Sequence, residues 1–444
     1  MRAIWIVLLM VGPVARAATL QVGPGKPYAA PCAAIAAASA GDRIEIDAAG
    51  SYVGDVCGWT TNGLTLVGVN GRPKIDGNGT SAQGKAIWIV SGDDTTVENV
   101  EMLGASAADA NGAGIRQEGK NLTVRGCYFH DNQDGILAGD AAGSTILIEG
   151  SEFAHNGAGD GQSHNLYINH VDKLVFRWNY SHHAVVGHLL KTRALVSDIR
   201  YNRFSDEVDG TASYEINVPN AGTTMIVGNV IEQGPMTQNS AIIDYGSEPT
   251  GFNATSDLYV VNNTIVNDRA AGGTFVQVAA MVTTPAVLTN NIFVGGGTIT
   301  TQASAVQTAN YTGTMPMFVA AASYDYHLVA GSPCVDAGQD PGMTAGGVSL
   351  LPTMQYVHPA MVEGRVSVGT IDIGAFELGG GTPLVDGGAP MDLAMAAGDG
   401  GVVTGVGSHG CGCDLGGRPV AVPLGFLLTS MIFLISLLIR RLPK

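Results

Sequence analysis

Charge is what this sequence has least of. Only 14% of its 444 residues are Asp, Glu, Lys or Arg, against roughly a quarter in an ordinary globular chain. Since 45% are apolar, a disordered acidic chain is excluded. Basic residues are the scarcer sign: 22 Lys and Arg face 38 Asp and Glu, a net charge of −16 at pH 7. That balance repels phosphate backbones, and no nucleic-acid partner is expected. Aromatics are also few, at 6%, whereas glycine is abundant with 62 residues. Many short strands joined by tight turns suit this composition; a bundle of long helices does not.

Both ends read as targeting segments. Met1 and Arg2 precede the apolar run Ala3 to Met10, and Ala15-Arg16-Ala17 places small residues where a signal peptidase reads them. Residues 1–17 are therefore expected to be a signal peptide, with Ala18 first in the mature chain. Export implies an oxidising compartment, where Cys32 and Cys57 are the best candidates for a disulfide. Cys127 instead falls in a repeat position suited to a buried free thiol. The stretch from Pro419 to Ile439 carries no charge and ends at Arg440-Arg441, as expected for a transmembrane segment with its basic pair on the cytoplasmic side. Cys411-Gly412-Cys413, the apolar span and the Arg pair, in that order, resemble the C-terminal sorting signals of myxobacterial-type surface proteins. That resemblance implies cleavage of residues 411–444 near Cys411 or Cys413 and display on the cell surface; plain retention as a membrane anchor is the alternative. Residues 379–410, rich in Gly, Ala, Asp and Pro, read as a flexible linker.

Between the ends lies an internal repeat. Segments patterned apolar, two residues, small or Asn, one residue, apolar place Cys127, Ser151, Asn179, Asn202, Asn229, Asn263 and Asn291 in one column, at spacings of 24, 28, 23, 27, 34 and 28. Two positions on, Phe129, Phe153, Ser181, Phe204, Ile231, Ile265 and Phe293 form a second, mostly apolar column. A period in the twenties marks a stacked solenoid whose units cannot bury their own apolar faces. A leucine-rich repeat would show Leu at several fixed positions, which is absent here. A parallel β-helix fits, with stacked amides bonding coil to coil. The Ala-rich Pro31 to Ala40, followed by the alternating Asp42 to Ile46, reads as an N-terminal helical cap.

Gly114 to Glu118, His164 to Ile168, Gly187 to Ala194 and Ser213 to Ile216 resemble bacterial right-handed parallel β-helix proteins of the pectin-lyase-like superfamily, over residues 31–297. The resemblance implies an all-β fold and, in many members, polysaccharide degradation. Tyr326 to Leu328, Ser332 to Gly338 and Asp372 to Glu377 resemble the C-terminal closing module of secreted bacterial β-helix proteins. The expected layout is therefore a parallel β-helix over residues 18–300, a closing module over 301–378, the linker, and the C-terminal transmembrane segment.

Strand alternation gives the candidate site. With Ile168, Leu190, Ile216 and Ile243 inward, Tyr167, Asn169, Leu189, Lys191, Arg193, Glu215, Asn217, Ile242 and Asp244 are expected outward, with Arg116 and Glu118 beside them on an earlier coil. From His164 to Arg203 there are six cations and two anions, and five of the ten histidines. Such a strip attracts an anionic ligand locally, so the expected partner is an acidic polysaccharide, met by a monomeric chain. The reaction expected is β-elimination: Lys191 as base, its pKa lowered by Arg193, Arg193 as carboxylate clamp, and Tyr167 or a histidine as proton donor. Arg116, Glu118, His164, Asn169, His170, His188, Glu215, Asn217 and Asp244 complete the expected binding face. Lys191-Thr192 with Ile199 to Phe204 also resembles the base-bearing coil of the chondroitinase B and alginate lyase family, which implies calcium; the departure is that the following coil offers Glu215 and Asn217 where that family has an arginine. A hydrolase would use stacked Glu215 and Asp244, an epimerase the lyase chemistry, and a surface adhesin neither. The histidines show no recurrent metal-ligand spacing.

Overall fold

The computed structural model describes residues 17–382. Residues 1–16 of the expected signal peptide, most of the expected linker, Cys411, Cys413 and the apolar C-terminal stretch lie outside the described residues. Short strands stack in parallel register into sheets of twelve, ten and ten strands, the winding chain visiting the three sheets in turn. Aliphatic and aromatic side chains alternate inward and fuse into one continuous core that runs the length of the coils. Strands Thr298–Thr300 and Val306–Thr308 still pair with the sheets, so the coils run past residue 300.

The corner column is a hydrogen-bonded ladder. Asn179, Asn202, Asn229, Asn263 and Asn291 each donate a side-chain N–H to the next amide oxygen at 2.9–3.1 Å, and the ladder ends at Asn310. Their backbone N–H groups donate to the same oxygens. Ser151 and Cys127 open the column, where Ser151 Oγ receives the Cys127 N–H at 3.1 Å. Cys127 is a buried free thiol, pushed by burial to a pKa of about 12. Beside the ladder Phe129 stacks on Phe153 with ring centres 5.1 Å apart. A second, shorter ladder at another corner links Asn132, Asn156 and Asn165; the sequence reading did not include it.

The helix near the N-terminus is Pro31–Ala37, begun by proline, with Ala34 and Ile35 buried in the core. Cys32 and Cys57 form a disulfide that ties this helix to the strand Cys57–Trp59. After the last coil the chain folds back along the solenoid as antiparallel strands, Phe318–Ala320 with Asp325–Leu328 and Met354–Val357 with Met361–Arg365. The Asp372 to Glu377 motif locks this segment. Glu377 pairs with Arg365 at 3.1 Å with both side chains buried, and Arg365 also donates to the Asp372 and Gly374 carbonyls. Gly374, at φ 101°, sits where a Cβ would lie 2.5 Å from Ile292, so only glycine lets the segment close against the coils.

Candidate functional site

In the sheet that carries Lys191, register places Arg116, Leu137, Tyr167, Lys191, Asn217, Asp244 and Gln277 in one outward column on successive coils. Lys191 is thus flanked by Tyr167 and Asn217 at the coil spacing of about 4.8 Å. Its ammonium lies 5.2 Å from the Tyr167 ring centre, and the Arg193 guanidinium 5.6 Å from it. Arg193 Nε donates to the Tyr167 hydroxyl at 2.9 Å, and Arg193 also bonds Asn220.

The two cations share a carboxylate. Glu248 stands 2.6 Å from Arg193 Nη2 and 3.6 Å from Lys191 Nζ. Burial pushes the Lys191 ammonium below its ordinary range; Glu248 opposes that and Arg193 adds to it. Glu248 is held below the usual carboxylate range: its partial burial is outweighed by the Arg193 hydrogen bond and the Lys191 charge. Sequence reasoning missed Glu248 because it sits in the irregular loop 246–257. The signal available was the 34-residue spacing from Asn229 to Asn263, the longest in the repeat. His170 anchors that loop: its Nε2 lies 2.9 Å from the Gly251 carbonyl, and its Nδ1 3.2 Å from Asp140. Asn253 Nδ2 donates to the Ala194 and Ala221 carbonyls at 3.2 Å, fastening the loop's other half.

Several expected members are elsewhere. Glu215 is not outward. Pairing of Ile216 with Ile243 aligns Glu215 with Ile242, and this position turns into the core, as Leu189 does just before its strand and Ile242 does inside the strand Ala241–Tyr245. Glu215 is fully buried, neither carboxyl oxygen has a partner, and burial holds its pKa well above the usual range. Buried Asp206 and Glu232 add to that shift. Asp206 itself is raised to about 7, mainly by burial. The stacked Glu215 and Asp244 pair needed for a hydrolase does not exist, because Asp244 aligns with Asn217.

Asn217 and Asp244 keep their outward column but are covered: Asp244 accepts from Asn217 at 2.7 Å, from Gln277 at 2.8 Å and from Ser247. Both residues are buried and present no open polar face, and Asn217 Oδ1 is left without a partner. His164 and His188 are also buried, stacked 4.3 Å apart. The His188 backbone N–H donates to His164 Nδ1 at 3.1 Å. Burial lowers both, His188 to about 3, so they are neutral rings supporting the groove and not cations lining it. Arg116 lies three coils from Lys191; it and Lys85 are paired with Glu118, at 3.8 and 2.6 Å. Asn169 is partly exposed at the corner before His170.

The remaining cations of the basic stretch do not form one strip. Lys173, Arg177 and Arg200 belong to the twelve-stranded sheet and Arg203 to the third sheet. Arg177 pairs with Glu149, Arg200 with Asp198 and Arg203 with Glu207. The electropositive centre therefore reduces to Lys191 and Arg193. Calcium has no fitting donor set: among the described residues no group of three or more His, Cys, Asp or Glu gathers in a way that could hold a metal ion, and the Asp244 oxygens are spent on neutral donors.

A family model described as a right-handed β-helix region matches residues 62–231. No curated protein sequence matches the chain. Among solved structures, the crystal structure of pectate lyase Pel9A is similar at a TM-score of 0.60 and 16% identity, over 82% of this chain and 96% of that one. At that identity the likeness is one of architecture. Coil register, family match and structural likeness agree that the chain folds as a right-handed parallel β-helix.

Proposed function

We propose that this protein is an exported, surface-held polysaccharide lyase that cleaves an acidic, uronate-containing glycan by β-elimination. The observation that carries this reading is that Lys191 and Arg193, side by side on the outer face of one coil, already grip a carboxylate, that of Glu248. A uronate carboxylate has the same charge and the same two-oxygen edge, so it competes for Arg193 and displaces Glu248. The likeness to a pectate lyase adds architectural support.

On this reading neutral Lys191 removes the C5 proton. The electron pair of that C–H bond becomes the C4–C5 double bond as the C4–O bond breaks, and the departing oxygen takes up a proton. Tyr167 is the group placed to supply it: its oxygen accepts from Arg193, which leaves its own O–H free to donate. His164 and His188 are unsuited, since burial keeps them deprotonated near neutral pH. No step passes through calcium.

The test is to incubate the purified protein with a panel of uronate polymers and follow the ultraviolet absorbance of unsaturated uronate ends. Product that Lys191→Ala abolishes, with melting unchanged, supports the lyase. Tight glycan binding by the wild type without product overturns it in favour of a surface adhesin.

A further inference from the structure

A second set of groups lies on a different sheet from Lys191. Tyr180, Arg203 and Val230 follow one another in an outward column of the third sheet. The folded-back C-terminal segment crosses this column without filling the space over it. A cavity of about 270 Å³ remains, lined by Arg203 from the coils and by Tyr324, Tyr356, Phe376 and the hydrogen-bonded pair Asp325 and His327, among others, from the segment. No residue of the Lys191 groove contributes to it.

Arg203 is the unusual member. It is 9% exposed, and its Nε–H has no acceptor. Its terminal nitrogens make only two long contacts, each of 3.4 Å, to the Tyr324 carbonyl and to Glu207. The guanidinium lies 5.5 Å from the Tyr180 ring centre and 5.9 Å from that of Tyr324. A guanidinium carries five N–H donors in a fixed fork, and leaving one buried without an acceptor is unfavourable. A carboxylate from outside would satisfy it.

We propose that this cavity is a binding site for a single carboxylated sugar residue, held apart from the Lys191 groove. The guanidinium takes the carboxylate, the partly buried Tyr324 ring takes the C–H face of the pyranose, and Asp325 and His327, bonded to each other at 2.6 Å with side chains 40% and 47% exposed, take its hydroxyls. Size sets the limit. Pockets for drug-sized ligands run from roughly 300 to 1,000 Å³, so 270 Å³ admits one sugar ring and not an oligomer. Inorganic anions have no use for the aromatic walls, and neutral sugars leave the guanidinium unmatched. The proposal does not rest on the lyase reading.

The probe is D-galacturonate, titrated calorimetrically into the full-length protein, with D-galactose and benzoate as comparisons. The expected result is galacturonate binding that persists in Arg193→Gln, which lacks the groove's carboxylate clamp, and that adding Arg203→Gln to that protein weakens about tenfold or more, as loss of a charge-assisted fork predicts. Because Arg203 also touches the folded-back segment, Tyr324→Asn is a second variant. Tyr324 has φ 58°, a left-handed conformation that Asn tolerates, so this change removes the ring without straining the turn and is expected to weaken binding as well. The proposal is overturned if Arg193→Gln protein does not bind galacturonate, if neither Arg203→Gln nor Tyr324→Asn weakens that binding, or if galactose or benzoate binds as tightly. Loss of lyase product alone bears only on the other site.

Discussion

Replacing Glu248 with Gln removes the one carboxylate that shields the two groove cations while keeping its size. Lys191 Nζ and Glu248 stand 3.6 Å apart; at that separation unit charges attract by about 1 kcal/mol in water and about 4–5 kcal/mol at an effective dielectric of 20. The Glu248 side chain is 44% exposed, so solvent screening brings the interaction toward the lower figure, about 1–2 kcal/mol, or roughly one pKa unit. The sign is fixed. Glu248 raises the Lys191 pKa against burial and Arg193, so Glu248→Gln lowers it further. The neutral base then appears at lower pH, and the rising limb of the kcat/KM profile moves about one unit to the acid side. KM falls too, since no internal carboxylate competes for Arg193. The Lys191 titration is read directly by NMR on lysine-labelled protein, with its signal assigned through Lys191→Arg. A Lys191 pKa that stays put or rises in Glu248→Gln would falsify the electrostatic account of the base.

Three further outcomes follow from the scaffold. Asn202→Ala strands the side-chain and backbone donors of Asn179 and the Phe176 carbonyl, so denaturant unfolding should show a loss of about 3–5 kcal/mol; a loss below about 1 kcal/mol means the ladder is not stabilising. Asp206 goes from 3.8 to about 7 on folding. The folded state therefore holds a proton that the unfolded state releases, and stability is lost as pH rises from about 4 to about 7, by up to about 4 kcal/mol. Asp206→Asn should flatten that decline in melting curves taken across this range, and an unchanged slope refutes the assignment. Cys32 and Cys57, separated by 25 residues, should contribute about 3 kcal/mol, measured as the stability lost in Cys32→Ser with Cys57→Ser; no loss would show that the N-terminal coil holds without the bond.

The fold was legible because a solenoid writes its geometry at fixed intervals. Each corner amide and each inward phenylalanine recurs at the coil period, so Asn179 to Asn291 and Phe129 to Phe293 could be aligned by counting. The face of a single side chain was less legible. Strand alternation places Tyr167, Lys191, Asn217 and Asp244 on the outer column, yet it fails at the position just before Leu190, Ile216 and Ile243, which turns Leu189, Glu215 and Ile242 into the core. Accessibility was legible least. Nothing in a period tells that Gln277 and Ser247 cover Asp244, or that His188 stacks under His164. Linear charge density misled for a related reason: each coil distributes neighbouring residues over three sheets, so Arg177, Arg200 and Arg203 end far from Lys191 in function though near it in sequence.

Because successive coils are riveted together at one corner by the asparagine amides, the lengths of the other bends are free to change. The coil that carries Glu248 spends 34 residues between rivets where its neighbours spend 23 to 28, and the surplus emerges as the excursion over the two cations, with the Lys191 column undisturbed. A cover over the groove can thus be lengthened, shortened or removed by insertion or deletion alone, leaving the reacting side chains in place.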